Sequence, residues 1–266
     1  ALKEAQDGDY FLVSLLMKPL LMSGHATERI QVDMLVRQNK RIQFREREAV
    51  IGGDLCLARS FRAGERTWLA FLNCDAMGKS IQGAGGALVA GVFFQSFFDR
   101  YEAHGAAIEP GALLHKCYTA LQQSFRPFEG MMMCTAVIGL VDEAEGRLHY
   151  VNAEHPALVL LRAGRASFIE PVQLADKIGM PGEAPHFAIN EFLLQTGDRV
   201  LAGSDGRDDI LLSRSEDGKR VINSDRELFL QTAEYCGGDL AQIEAALLAR
   251  GELTDDLSLL KLSYGG

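Results

Sequence analysis

Residues 54–76 read DLCLARSFRAGERTWLAFLNCDA. Two runs rich in apolar residues flank Gly64-Glu65, and an aspartate closes the outer end of each. A glycine at the first central position suits a two-residue turn of type II′, so the stretch predicts a hairpin of 54–62 with 66–75. Facing residues in such a hairpin have numbers that sum to a constant, which sets Asp54 opposite Asp75. Directly opposed side chains lie about 4.5–5.5 Å apart at Cβ, and like charges there are destabilising. The pair must be relieved by a shared proton, by solvent or by a cation. Magnesium and manganese favour such clusters of oxygen donors.

Two other segments have the same character. DRVLAGSDGRDD (198–209) runs down an apolar strand to Asp205, and LTDDLSLLKL (253–262) sets Asp255 and Asp256 just before the last strand. Each aspartate taken singly reads equally well as a turn residue, because Asp and Gly are favoured in turns. Four sites at strand ends are harder to assign to turns alone.

Around these segments the pattern predicts a chain of strands and helices. Tyr10–Leu21 is nearly all apolar and reads as a buried strand. Ile30–Arg37 alternates with the period of a half-buried strand. Residues 38–47, QNKRIQFRER, read as a strand with a basic face; the functional alternative is a docking edge for an acidic partner. Helices are predicted over 84–104 and 111–125. Strands follow at 131–141, 147–152, 157–162 and 166–169. A further pair is expected at 187–194 and 198–204, around Thr196-Gly197. SDRE (224–227) reads as a capping box opening a helix that ends at Gly237-Gly238. A second helix runs from Asp239 to Gly251. Hairpins and helix pairs are segregated, without βαβ alternation, which points to antiparallel sheets layered with helices.

Composition narrows the class of protein. The 266 residues are 47% hydrophobic and 24% charged, an ordinary globular mix. A net charge of −9 argues against nonspecific binding to nucleic acid. Cysteines 56, 74, 117, 134 and 236 are scattered and odd in number, which suits a reducing cytosol. The most apolar stretch, Gly85–Phe98, is shorter than the roughly 20 residues a membrane span needs. The chain opens ALKEAQDGDY without a methionine and reads as a piece of a longer protein, in which a membrane-bound sensor upstream is an open expectation.

IGGD (51–54), DAMGKS (75–80), NAEHP (152–156), GDRVLAGSDG (197–206) and LTDDLSLL (253–260) occur in this order. Together they resemble the PP2C-like (PPM) metal-dependent phosphatases, in particular the SpoIIE/RsbU branch of bacterial regulatory serine/threonine phosphatases, over roughly residues 48–264. The resemblance implies an α+β fold, a four-layer αββα sandwich of two antiparallel sheets flanked by helices. Residues 1–47 would pack on, or lead into, a core at 48–266. It implies that Asp75 bridges two Mn²⁺ or Mg²⁺ ions, one of them also held by the Ala76 carbonyl, where glycine is commoner. Asp205 and Asp255 would hold the other ion. Asp54 would sit beside them, as a ligand or through a water, and Asp256 would play a supporting role. A water shared by the ions would attack phosphorus and release serine or threonine. The implied substrate is a phosphorylated STAS-type anti-sigma-factor antagonist, or another phosphoprotein. A homodimer and an upstream sensor domain are further expectations.

Departures from the pattern bear on mechanism. Met77 stands where eukaryotic relatives carry a histidine proposed as general acid, so protonation of the leaving group falls to water. Lys79 and Arg207 flank the motifs and read either as phosphate contacts or as ordinary surface charges. His155 reads as a turn residue more readily than as a ligand. CLARSFR (56–62) has the C-x5-R spacing of cysteine-dependent phosphatases, but not the glycine-bearing loop that wraps phosphate. IGGDL lacks the acidic and aromatic residues that a diguanylate cyclase signature needs after its aspartate. The alternative to an enzyme is a phosphatase-like domain that serves as a binding or signal-relay module.

Overall fold

The Gly64-Glu65 hairpin is the centre of the molecule. In the computed structural model, β4 (Asp54–Ala63) and β5 (Arg66–Ala76) pair antiparallel without a bulge, and Asp54 faces Asp75 as the turn register predicts. Gly64 takes the positive φ, 62°, that the turn requires. The structure describes residues 2–21, 26–78, 81–105, 107–182, 185–215 and 217–265, apart from the side chains of 2–5.

The remaining elements, in chain order, begin with α1 (Leu2–Leu21), β1 (Ile30–Arg37), β2 (Lys40–Phe44) and β3 (Arg47–Ile51). After the central hairpin come α2 (Ile81–His104), α3 (Pro110–Phe125), β6 (Cys134–Asp142), β7 (Arg147–Ala153), β8 (Leu158–Arg162), β9 (Arg165–Ile169), β10 (Asn190–Leu193) and β11 (Arg199–Gly203). The chain closes with β12 (Ile210–Arg214), β13 (Arg220–Ile222), α4 (Glu227–Tyr235), α5 (Leu240–Arg250), β14 (Glu252–Leu253) and β15 (Leu257–Tyr264). One five-stranded sheet has the order β10-β7-β6-β5-β4, the other β1-β15-β11-β8-β9. Every pairing within them is antiparallel.

The period-two geometry of a strand explains why β4 and β5 look uniformly apolar. Leu55, Leu57, Ala70, Leu72 and Cys74 turn outward to a layer shared with Phe94, Phe98, Leu114 and Leu121 of α2 and α3. Cys56, Ala58, Leu69 and Phe71 turn inward and meet Val200, Leu260 and Leu262 of the facing sheet. That second sheet buries Val159, Leu201, Leu257 and Leu259 against Phe229, Ile243 and Leu247 of α4 and α5. Helix, sheet, sheet and helix thus make the four-layer αββα sandwich. Each sheet is buried on both faces, so neither shows the polar alternation of a half-solvated one. All five cysteines are free and buried, and together they sample all three of these layers.

Several local expectations are corrected. Tyr10–Leu21 is the second half of helix α1, not a strand. Its buried residues Tyr10, Ser14, Met17 and Leu20 recur at helical spacing, and leucine and methionine are good helix formers. Residues 38–47 are not one strand: a turn at Arg45-Glu46 splits them between β2 and β3, with Arg45 at φ 55°. The strands expected on either side of Thr196-Gly197 are present and lie in different sheets, β10 joining β7 and β11 joining β8 and β15. Ser224 caps nothing: α4 has Arg226 at its N-cap position, and Asp225 accepts from the Glu227 amide at 2.9 Å. Helix α2, at 24 residues, is long and apolar enough to cross a membrane by length and composition, yet half of its most apolar window is buried inside the molecule.

The first 47 residues are woven into this fold. All eight residues of β1 pair with β15, from Ile30 opposite Tyr264 to Arg37 opposite Leu257. The β2–β3 hairpin stands apart from both large sheets and packs on α1 through Tyr10, Ile42 and Ile51, with Ala84 of α2 beneath.

Candidate active site

Two sheets deliver carboxylates to one end of the sandwich. From the first, the β4–β5 register sets Asp54 and Asp75 face to face. From the second, β11 ends at Gly203 and runs through Ser204 into a short 3₁₀ turn, Asp205–Arg207. Its neighbour β15 begins just after Asp255 and Asp256, and the Ser204 amide donates to the Ser258 carbonyl at 3.1 Å.

The charges are felt across the gap between the sheets. Burial, and then the charges of Asp205, Asp255 and Asp256, push the Asp75 carboxyl up to about 7. Asp54, 1% exposed, is also raised, by burial first and by Asp75 second. Burial likewise raises Asp205, with Asp209 and Asp255 adding to it. Asp209 is raised by burial and by Asp255, and so belongs to the same electrostatic group; the sequence reading passed over it. Asp256 is differently placed. Its carboxylate accepts from the Asn39 amide at 2.6 Å and from the Gly53 amide at 2.8 Å, tying the β1–β2 loop to the loop before β4.

A buried network holds Asp54. The Ser204 hydroxyl donates to its carboxylate at 2.6 Å, and the Ser258 hydroxyl adds a second bond. The Asn73 amide donates to Ser258 Oγ at 2.8 Å. Asn73 Oδ1 is 2.7 Å from His155 Nε2, and Thr135 Oγ1 is 2.9 Å from His155 Nδ1. Burial drives the imidazole down to about 3, so His155 is neutral. A hydrogen on Nε2 satisfies both contacts. His155 is therefore a structural link between β5, β6 and β15, outside the carboxylate cluster. Gln38, 9% exposed, donates to the Asp54 carbonyl at 2.8 Å, while its own Oε1 is buried without a partner.

The Ala76 carbonyl lies in a cradle of glycines. A Cβ at Gly53 would collide with it, and one at Gly83 would come within 3.0 Å of it and 2.6 Å of the Gly78 carbonyl. Helix α2 can start this close to β5 only because both positions are glycine. Met77 at the strand end is 42% exposed. Lys79 lies outside the described residues. Arg207 is no surface charge: it is 2% exposed, and its guanidinium stacks on Phe229 at 4.7 Å. Nε reaches Asp208 at 3.2 Å, and Nη1 has no partner among the described residues.

Four carboxylates and a peptide carbonyl form a hard, all-oxygen donor set, the chemistry that suits Mg²⁺ or Mn²⁺ and not a thiolate metal. Burial and mutual repulsion raise the proton affinity of Asp54, Asp75 and Asp205, and a bound cation would relieve that repulsion. Among the described residues no three His, Cys, Asp or Glu side chains close into a ready-made metal-ligating group. Asp75 and Asp205 nevertheless share a side-chain hydrogen bond, which joins the two sheets at this end.

The family model of Stage II sporulation protein E (SpoIIE) matches residues 65–265. The chain belongs to the SpoIIE family. This match begins at the β4–β5 turn, so β1, β4 and Asp54 precede it. The structure of the SpoIIE-family chain is similar to that of the SiaA PP2C domain of Pseudomonas aeruginosa, at TM-score 0.65 and 18% identity over 99% of this chain and 96% of that one. It also matches the RsbU and RsbW domains of Rv1364c from Mycobacterium tuberculosis, at TM-score 0.63 and 16% identity, covering 90% of this chain. It spans 62% of the length of that protein's solved chain. RsbX, solved in complex with magnesium, matches at TM-score 0.55 and 15% identity over 91% of this chain and 98% of that one. No curated protein sequence matches. The SpoIIE-family chain thus has the PP2C phosphatase fold.

Proposed function

We propose that the chain is a metal-dependent serine/threonine protein phosphatase that hydrolyses a phosphoprotein. One observation carries this reading: Asp54 and Asp75 are opposed across a hairpin, and Asp205 and Asp255 reach the same end from the facing sheet. Asp75, Asp205, Asp255 and the Ala76 carbonyl would hold Mn²⁺ or Mg²⁺, two ions on the family pattern, with Asp54 beside them. Bound metal would supply positive charge to the phosphoryl oxygens and acidify water. The protein's own part is positional. Ser204 and Ser258 fix Asp54, Asp256 fixes the loop beside it, and the glycine cradle leaves the Ala76 carbonyl bare. Met77, exposed at the strand end, stands where eukaryotic relatives carry a histidine, so water would protonate the departing oxygen. A phosphorylated STAS-type antagonist of an anti-sigma factor is the substrate this reading favours, in the cytoplasm and under the control of an upstream sensor.

The test is hydrolysis of p-nitrophenyl phosphate in millimolar Mn²⁺ by the chain and by Asp75→Asn and Asp205→Asn. Metal-dependent turnover that both substitutions abolish supports the enzyme. Alanine at position 76, where the family pattern more often has glycine, gives a second reading its footing, that of a relay module without turnover. Calorimetry separates the two: metal binding without hydrolysis indicates a site switched off in this form. No metal binding at all sinks the phosphatase reading.

A further inference from the structure

The β2–β3 hairpin carries charge that the fold does not use. Four of the twelve residues from 40 to 51 are Lys or Arg and two, Glu46 and Glu48, are acidic, in a chain of net charge −9. Arg37 is paired with Glu244 at 2.9 Å, and Lys40 sits over the Tyr10 ring at 4.0 Å. Arg41, Arg45 and Arg47 are exposed and have no carboxylate partner among the described residues. Two of them are held by aromatic faces, Arg45 over Phe44 at 5.2 Å and Arg47 over Phe11 at 5.9 Å. Phe11 and Phe44 stack on each other at 5.6 Å, and with Arg45, Glu46 and Arg47 they line a cavity of about 450 Å³. A guanidinium laid on a ring keeps its N–H edge free for a carboxylate.

The hairpin is also wired to the acidic cluster. Asn39, the residue before β2, donates its amide to Asp256, and Gln38 donates to the Asp54 carbonyl. Six residues of strand at roughly 3.3 Å each carry the chain about 20 Å from Asn39 to Arg45. One small domain is wide enough to touch both places.

We infer that the β2–β3 hairpin docks an acidic segment of the phosphorylated partner, through Arg41, Arg45 and Arg47, while the phosphoryl group lies at the carboxylate cluster. This rests on the phosphatase reading. The chain as a whole carries a net charge of −9, so a basic hairpin gives such a partner its orientation as well as its attraction. The surface thereby selects substrates whose acidic residues lie well away from the phosphorylated one.

The experiment compares two phosphoserine peptides in Mn²⁺. One carries glutamates roughly six to eight positions from the phosphoserine on both sides, and the other carries glutamines there. The expected result is a kcat/KM about tenfold higher for the glutamate peptide, lost at raised salt and lost in Arg41→Glu/Arg45→Glu/Arg47→Glu. That variant should hydrolyse p-nitrophenyl phosphate and the glutamine peptide as the parent does. Equal kcat/KM for the two peptides, or a loss that falls equally on both, overturns the inference. If the parent shows no hydrolysis of p-nitrophenyl phosphate, the phosphatase reading is what has failed. Fluorescence anisotropy with the unphosphorylated glutamate peptide then decides docking by itself: binding that the triple variant loses retains it, and no binding overturns it. Binding of the parent to phosphatidylserine vesicles, lost in the variant and unaccompanied by any peptide preference, assigns the arginines to a membrane and also overturns it.

Discussion

Asp75 takes up its proton near pH 7, because burial and then Asp205, Asp255 and Asp256 disfavour its charge. Its ordinary value, and that of the unfolded chain, is about 3.9. A group raised on folding binds more protons folded than unfolded, so its stabilising contribution is complete below about pH 4 and is lost as pH rises through about 7. The metal-free chain should therefore melt at a falling temperature between pH 5 and pH 8 in EDTA. Asp75→Asn should flatten that slope, and Mn²⁺ should raise the melting temperature most at the alkaline end. A slope unchanged by the substitution would remove Asp75 from the cluster's charge balance. Behind it, Asn73→Ala would remove the buried bonds to His155 Nε2 and Ser258 Oγ, leaving His155 its contact with Thr135 and Ser258 its bond to Asp54. A loss of about 1–3 kcal/mol in urea unfolding is expected. Arg207→Leu should act in the other direction. It replaces a buried charge whose ion-pair partner among the described residues, Asp208, is partly exposed, by a side chain that suits the Phe229 layer. Such replacements are often neutral or stabilising by about 1–4 kcal/mol, and urea unfolding will show the sign. The aspartates were legible in the sequence because apolar runs stop on them. Asp209, Ser204 and the Asn73–His155 pair were not, since nothing local marks a polar residue that finds its partner across two sheets.

Among the elements, the β4–β5 hairpin was legible because its turn glycine and its register are local facts. Helix α1 was misread because an unbroken apolar run carries no alternation; only the recurrence of its buried residues at three and four positions marks it as helical. Which sheets β10 and β11 join was not legible for a related reason. A turn signal between two strands says that the chain reverses, and is silent on whether the second strand crosses to another sheet. The join between β5 and α2 yields a sharper prediction. Gly83→Ala sets a Cβ within 2.6 Å of the Gly78 carbonyl, so the first turn of α2 must move off the strand end. Overpacking of this kind costs about 1–3 kcal/mol. Calorimetric Mn²⁺ affinity should fall together with stability, because the same movement disturbs the Ala76 carbonyl. Affinity that survives the loss of stability would exclude that carbonyl as a ligand.

Across the whole molecule, β1 closes one sheet although it precedes the segment shared with the SpoIIE family. A chain beginning at residue 48 would leave β15 with a bare edge along all eight paired positions and would remove the Asn39 contact to Asp256. Exposed edges of that length invite association. The shortened chain should elute as soluble aggregate in size-exclusion chromatography, whereas a chain beginning at residue 29 should stay dispersed. The three buried layers also give the protein its own set of reporters. Cys56 lies between the sheets, Cys74, Cys117 and Cys134 lie under α2 and α3, and Cys236 lies under α4 and α5. Burial pushes the Cys56 and Cys117 thiols far up, so neither is nucleophilic while its layer is shut. Alkylation followed over time by mass spectrometry would then date the breathing of each layer separately, telling which side of the sandwich loosens first without any introduced label.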